Sequence, residues 1–396
     1  MHKHIRKSVL PLVAVIFSAS ALAQPRLAPQ RITLRTGKSF NLSLPASFEI
    51  IPAAEGFKRA RFFAKAPDER IFVTDMYNLT DNKRGVIYIL DGWNKRTGKF
   101  TKVTPYLSGL HNPNSVQFYR DANGQDWIYI AETEKLTRRR FTMDEERPTD
   151  QNPQTIATFP DYGLSYKYGG WHLTRTIAFG PNAKLYVSVG SSCNSCVEKE
   201  KVRATVLEMN PDGSGQRIFA RGLRNAVGLR WVGAFLFATN QGSDHLGNNR
   251  PDETFYALRE GSDYGWPYCH SSNGRIIRDP KLRLREGCAN VPGPYAFFPA
   301  RSSALGFDYY FDDAASPESI KNAFLVALHG STNKAIGHGY KIVVMRRGEK
   351  LQDFITGFLQ NGVINGRPCD ILRLGPDSFL FTDDNKGIVY FVRKRV

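Results

Sequence analysis

Apolar and polar positions along the 396-residue chain fall into short runs rather than long helical stripes. RIFVTD from Arg70, DWIYIAE from Asp126, KLYVSVG from Lys184, FLFATN from Phe235, AFLVALH from Ala323 and FLFTDD from Phe379 each concentrate aromatic and β-branched side chains. That is the pattern of strands. The runs start at intervals of about 50–60 residues, with one longer gap that holds Cys269 and Cys288. Gly, Pro, Asn and Asp fill the intervals. A four-stranded unit recurring six times at this spacing predicts an all-β fold, a six-bladed β-propeller.

The repeat aligns in more detail. FGPNAKLYVS, LGPDSFLFT and KAPDERIFVT share a proline, and nine residues before it stand His172, Arg367 and Lys58. Three further units share an aromatic residue seven positions after a polar one: His111 with Phe118, Arg224 with Trp231, and Ser302 with Tyr309. The six polar positions precede the innermost strand of each blade and so ring the axis on one face. The next strand returns antiparallel and brings Asp75, Glu132, Ser191, Gln241–Gly242, His329–Ser331 and Asp383–Asp384 nearby. Three ring positions are permanent cations and two are histidines. Like charges converging on one mouth need an offset, which either the neighbouring acids or a small polyanion could supply.

Residues 1–23 have the form of a secretory signal peptide. Lys3, Arg6 and Lys7 open it, an apolar run from Val9 to Ala19 is too short to span a bilayer, and Ala21 and Ala23 mark the cleavage site. Residues 24–54 are then an N-terminal extension leading into a propeller over 55–396, and the expected location is periplasmic or secreted. No later segment is apolar enough for a membrane helix. The net charge of +17 is dispersed, so it would draw acidic partners in general. Export argues against nucleic acid, and TRRRF at Thr137–Phe141 reads as a solvated edge. Of five cysteines, Cys193 with Cys196 and Cys269 with Cys288 are the economical disulfide pairs, leaving Cys369. CNSCV lacks the histidine of a haem attachment motif, and zinc is disfavoured because no second close pair exists. DYGWPYCH reads as a blade-edge turn that buries Trp266.

GLRNAVGLRW, PDETFYALREGSDYGWPYCH, SSALGFDYY, HGSTNK with GYKIVV, and NGRPCDI with DD follow one another in an order and spacing that resemble the glucose/sorbosone dehydrogenase family, in its sorbosone-dehydrogenase-like branch. The likeness covers roughly residues 55–396. It implies an exported quinoprotein that oxidises an aldose or sugar-derived aldehyde with pyrroloquinoline quinone (PQQ) and Ca2+, and whose electron acceptor is unspecified. Residue by residue it implies His172 as general base and Arg224 beside the reacting carbonyl. Asn225, Gln241, Lys334 and Arg367 are its cofactor contacts, and Gly242 with Ser243 is the turn whose carbonyls bind calcium. PQQ carries three carboxylates, the kind of polyanion the cationic ring would accept. The chain departs from the glucose-oxidising branch at Ser191, where an aspartate orients the histidine, at Cys369, where a second arginine stands, and at Trp171. A non-catalytic propeller binding an acidic ligand or glycan is the alternative. A lactonase-type hydrolase would need acids where this ring is cationic.

Overall fold

The computed structural model describes residues 26–161, 172–282 and 287–395. The expected signal peptide and Trp171 lie outside the described residues. Six four-stranded antiparallel sheets stand around one axis as a six-bladed β-propeller. The innermost strands, blades I to VI in turn, are Ala60–Lys65, Ser115–Arg120, Arg175–Phe179, Ala226–Val232, Ala304–Tyr310 and Pro368–Arg373. Each touches the next, and the last touches the first, so the ring is closed. The six apolar runs are the second strands, Ile71–Asp75, Asp126–Ala131, Leu185–Val189, Phe235–Asn240, Ala323–Leu328 and Ser378–Asp383. Their side chains are buried almost without exception. A strand packed on both faces has no polar side to alternate with, which is why these segments stand out in the chain.

Six apolar clusters fill the six seams between neighbouring blades. The seam between blades V and VI is the largest. It carries a hairpin of Leu27–Thr33 with Ser39–Pro45, which inserts Ile32, Leu42 and Leu44. The following strand, Phe48–Glu55, is the outer strand of blade VI, paired with Ile388–Lys394. Blade VI is therefore built from both ends of the described chain. The long gap between runs is an insertion in blade IV, with a small hairpin of Cys269–Ser272 and Arg275–Arg278. Cys193–Cys196 and Cys269–Cys288 are both disulfide-bonded. Cys369 is a buried free thiol, part of an apolar plug on the axis with Phe62, Val227 and Leu305. Burial raises its pKa, so it is an inert packing group.

Phe48 is 1% exposed and meets the Phe354 ring edge-on at 5.1 Å. Phe48→Ala should cost about 3–5 kcal/mol, the range for a buried phenylalanine. Equilibrium urea unfolding would register it as a lower midpoint at unchanged slope.

Candidate active site at the propeller axis

The strand entries carry a recurring device. In four of the six blades a residue at or just past the end of the second strand accepts hydrogen bonds from the backbone that leads into the first. Asp75 accepts from the amides of Lys58 (2.7 Å) and Arg59 (2.9 Å), Glu132 from His111 (2.7 Å), Asn240 from Asn225 (3.0 Å) and Asp383 from Arg367 (2.8 Å). In blades I, IV, V and VI a bulge follows at one place in the first strand. By ladder register the residues before it are Arg59, Asn225, Ser303 and Arg367.

These entries surround a hollow of about 440 Å³ lined by Arg59, Arg61, His172, Asn225, Gln241 and Arg367, among others. A second compartment of about 410 Å³ shares His172, Gln241, Ser303 and Thr332 with it, and adds Arg224, Gly242, Glu253 and Arg301. A larger cavity, about 800 Å³, lies elsewhere, between Asn249–Asp252, Pro294–Ala300 and Lys341–Asp353. The axial hollow is the one on which the polar residues of several blades converge.

His172 has a left-handed backbone, φ 47°, a strained state for a residue with a Cβ. Its Nδ1–H donates to the Ser191 carbonyl at 2.9 Å, with Ser191 Oγ at 3.0 Å. Because a carbonyl can only accept, Nε2 carries the lone pair of the neutral ring. Ser191 Oγ–H in turn donates to the Cys193 carbonyl at 2.7 Å. A Cβ on Gly190 would come within 2.6 Å of both His172 Cβ and Asn225 Oδ1, so glycine is required where the two approach. Burial, then the Arg224 charge, holds the imidazole well below its usual pKa. The serine at position 191 brings no charge of its own against that repulsion.

Arg224 is buried, and burial lowers its pKa. Its Nε donates to the Asn194 carbonyl (2.9 Å) and its Nη2 to Asn194 Oδ1 (3.1 Å). The Cys193–Cys196 disulfide thus closes a loop whose asparagine aims this guanidinium. Asn225 Nδ2 donates to Gln241 Oε1 (2.8 Å), and Gln241 Nε2 to Ser303 Oγ (2.6 Å).

The other end of the hollow holds an excess of positive charge. Asp384 accepts from Arg61 Nη1 (2.7 Å) and His329 Nε2 (2.7 Å) and pairs with Arg59 Nη1 at 3.1 Å. Burial alone would raise its pKa, but His329, Arg61 and Arg59 hold it far below the usual carboxylate range. Neighbouring Asp383 is pushed up to about 7 by burial. Arg367 donates to the carbonyls of Gly330 (2.8 Å) and Ser331 (3.0 Å) and to Tyr340 Oη (3.0 Å). Three guanidinium groups therefore face one carboxylate that is firmly ionised. Arg59 Nε is buried and makes no hydrogen bond, and its Nη1 has the ion pair with Asp384.

His172, Arg224, Asn225, Gln241, Gly242 and Arg367 all line the hollow. Ser243 lies next to it, its Oγ accepting from Trp266 Nε1 (3.0 Å) and its carbonyl from Arg301 Nη1 (2.9 Å). Four expected positions fall elsewhere. Lys334 is directed to the Gly362 carbonyl (2.8 Å). His111 is clamped between Asp81 and Glu134. Ser302 donates to the Pro299 carbonyl, and Lys58 is absent from the lining while Arg59, one residue on, is present. Arg59, Arg61, Ser303 and Arg301 were not anticipated. The bulge register would have found Arg59 and Ser303.

No family model matches the chain. An uncharacterised protein of Borreliella burgdorferi is 31% identical over 225 residues, which take in 53% of this chain and 57% of that protein. The chain thus spans little more than half the length of the curated relative it matches. The solved structures similar to it include a PQQ domain, a family AA12 carbohydrate-active enzyme and an aldose sugar dehydrogenase. The holo form of the pyranose dehydrogenase PQQ domain from Coprinopsis cinerea gives a TM-score of 0.73 at 17% identity, over 92% of this chain and 98% of that one. The calcium structure of the Trichoderma reesei family AA12 carbohydrate-active enzyme gives 0.72 at 14%, over 89% and 96%. The apo form of the soluble aldose sugar dehydrogenase from Escherichia coli gives 0.62 at 16%, over 88% and 100%. At these identities the likeness is one of fold.

Asp384 is fully buried and Arg61 nearly so. Asp384→Asn should cost about 3–5 kcal/mol, because it leaves buried cations unpaired. The wild-type contribution is present above the unfolded aspartate pKa and is lost as pH falls below it. The gap between wild type and variant, measured by denaturant unfolding, should therefore narrow in acid.

Proposed function

We propose that this protein is a sugar oxidoreductase that oxidises an aldose or sugar-derived aldehyde with PQQ as its acceptor, outside the cytoplasm. One observation carries the reading. A neutral, oriented imidazole stands beside a buried guanidinium at one side of a hollow whose far end has excess positive charge. The propellers similar to this one include a PQQ domain in its holo form and an aldose sugar dehydrogenase. Two disulfides are in keeping with an oxidising compartment, and among the described residues no helix is long and apolar enough to cross a membrane.

The donor set fits the cofactor. Arg59, whose Nε makes no hydrogen bond, and Arg367 would take its carboxylates. Asn225 and Gln241 would contact its ring system. When bound, PQQ supplies the acceptor for the hydride that leaves the sugar carbon. His172 Nε2 takes the proton from that carbon's hydroxyl. Arg224 stabilises the negative charge that develops opposite. The walls built from Leu173, Val227 and Leu305 keep the floor of the hollow apolar. The calcium turn fits less well. Ser243's carbonyl already accepts from Arg301, so no step is assigned to a metal here.

Dye-coupled oxidation of a panel of aldoses by PQQ-loaded protein tests the reading. His172→Ala should lower kcat by roughly 10²–10⁴-fold, the usual span for loss of a general base. No turnover with bound PQQ would instead indicate a binding propeller. Because the imidazole pKa is depressed, the base stays neutral through pH 7. The pH profile of kcat/KM should be level across neutrality and fall only on the acid side, below the ordinary imidazole value of about 6.5. A fall centred at or above that value contradicts the assignment.

A further inference from the structure

The Gly242–Ser243 turn opens a loop that winds around a single side chain. Arg301 Nη1 donates to the Ser243 carbonyl (2.9 Å) and pairs with Asp244 Oδ1 (2.8 Å). Its Nη2 donates to the carbonyls of Asp244 (2.9 Å), Gly247 and Arg250 (3.3 Å). The backbone amide of Arg301 donates to Glu253 Oε1 at 3.2 Å. The side chain is 8% exposed and lines the hollow together with Arg224 and Gly242. Arg301 also has a left-handed backbone, φ 67°. Such a conformation is costly for a residue with a Cβ and persists where the surroundings impose it.

A ring of backbone carbonyls with one carboxylate is the donor set a hard divalent cation would take. Here those oxygens are turned onto a guanidinium. A calcium ion on the same oxygens would sit against this fixed positive charge and would have to displace its hydrogen bonds.

We infer that Arg301 is a built-in cation that stands in for a metal on the 242–250 loop, so this protein organises the turn and the anionic edge of its ligand without calcium. The guanidinium supplies positive charge and donors where an ion would supply charge and coordination. The nature of the ligand rests on the quinone reading above; the exclusion of calcium does not.

The test uses the full mature protein. Calcium chloride alone is titrated against the apoprotein and followed by thermal unfolding and by equilibrium dialysis of the metal. In parallel, PQQ binding is measured by dialysis with calcium and with excess EDTA. We expect the wild type to show no calcium-dependent rise in its unfolding midpoint, and PQQ binding to be the same with either addition. Arg301→Met, close in length and uncharged, should gain calcium uptake and a midpoint that rises with calcium. Calcium uptake by the wild type equal to that of Arg301→Met overturns the inference, and so does loss of PQQ from the wild type on chelation. The wild-type arms decide the matter if the variant does not fold. If PQQ fails to bind under any condition, the sugar-oxidation reading falls, while the calcium titration still decides whether Arg301 excludes the metal.

Discussion

Arg59, Arg61 and Arg367 are brought to one axis by closure of the ring, and Asp384 is the firmly ionised carboxylate set among them. This imbalance governs much of the rest. Buried cations demand acceptors, and the blade entries provide them from carbonyls and from Asp384. Arg367 is spread over two carbonyls and a tyrosine hydroxyl. What the acceptors do not cancel remains as field inside the hollow, where a low dielectric makes it strong. At the His172 side burial and other nearby cations act against protonation. Nearby Arg224 helps keep the ring neutral, and the carbonyl of Ser191 orients it without adding charge. A base tuned in this way gains readiness at neutral pH and gives up proton affinity.

The blade count was legible because the second strands are buried on both faces. IFVTD, WIYIA and FLFTD carry uninterrupted apolar character, and their spacing is the spacing of blades. The first strands were less legible, since a bulge breaks their pattern in four blades. The single-residue slip at the ring has a different cause. Counting back from a proline assumes equivalent turns, yet Pro67 lies two residues beyond Lys65 while Pro376 lies three beyond Arg373, at the same rung of the ladder. Lys58 was therefore matched to Arg367 where Arg59 belongs. The same count did place His172, and Arg224, Asn225 and Gln241, which needed no proline, also line the hollow. The cation on the Ser243 turn was invisible, since Arg301 reaches it from 58 residues away. No local pattern encodes that contact.

The two short loops closed by disulfides serve different ends. The loop of Cys193–Cys196 presents Asn194 to Arg224 and to the Asp244 amide, so it is part of the machinery that positions charge. The loop of Cys269–Cys288 fastens the blade IV insertion, and Trp266 within that insertion reaches the Ser243 hydroxyl. Both link an outlying segment to the rim of the hollow.

The joining of Phe48–Glu55 to Ile388–Lys394 also governs how the molecule is assembled. The earliest strand of the propeller to be synthesised waits for a partner among the last. Until both exist, blade VI lacks its outer strand and presents a bare edge, and the five earlier blades form an open arc with no closed axis. Entropy of so long a loop rises only slowly with its length, but the contact is among the most distant the chain can make and slows the final step. The hollow, which needs Arg59 from the first blade and Arg367 from the last, cannot exist in any partly made chain. A nascent or truncated molecule is thus denied its ligand by topology alone.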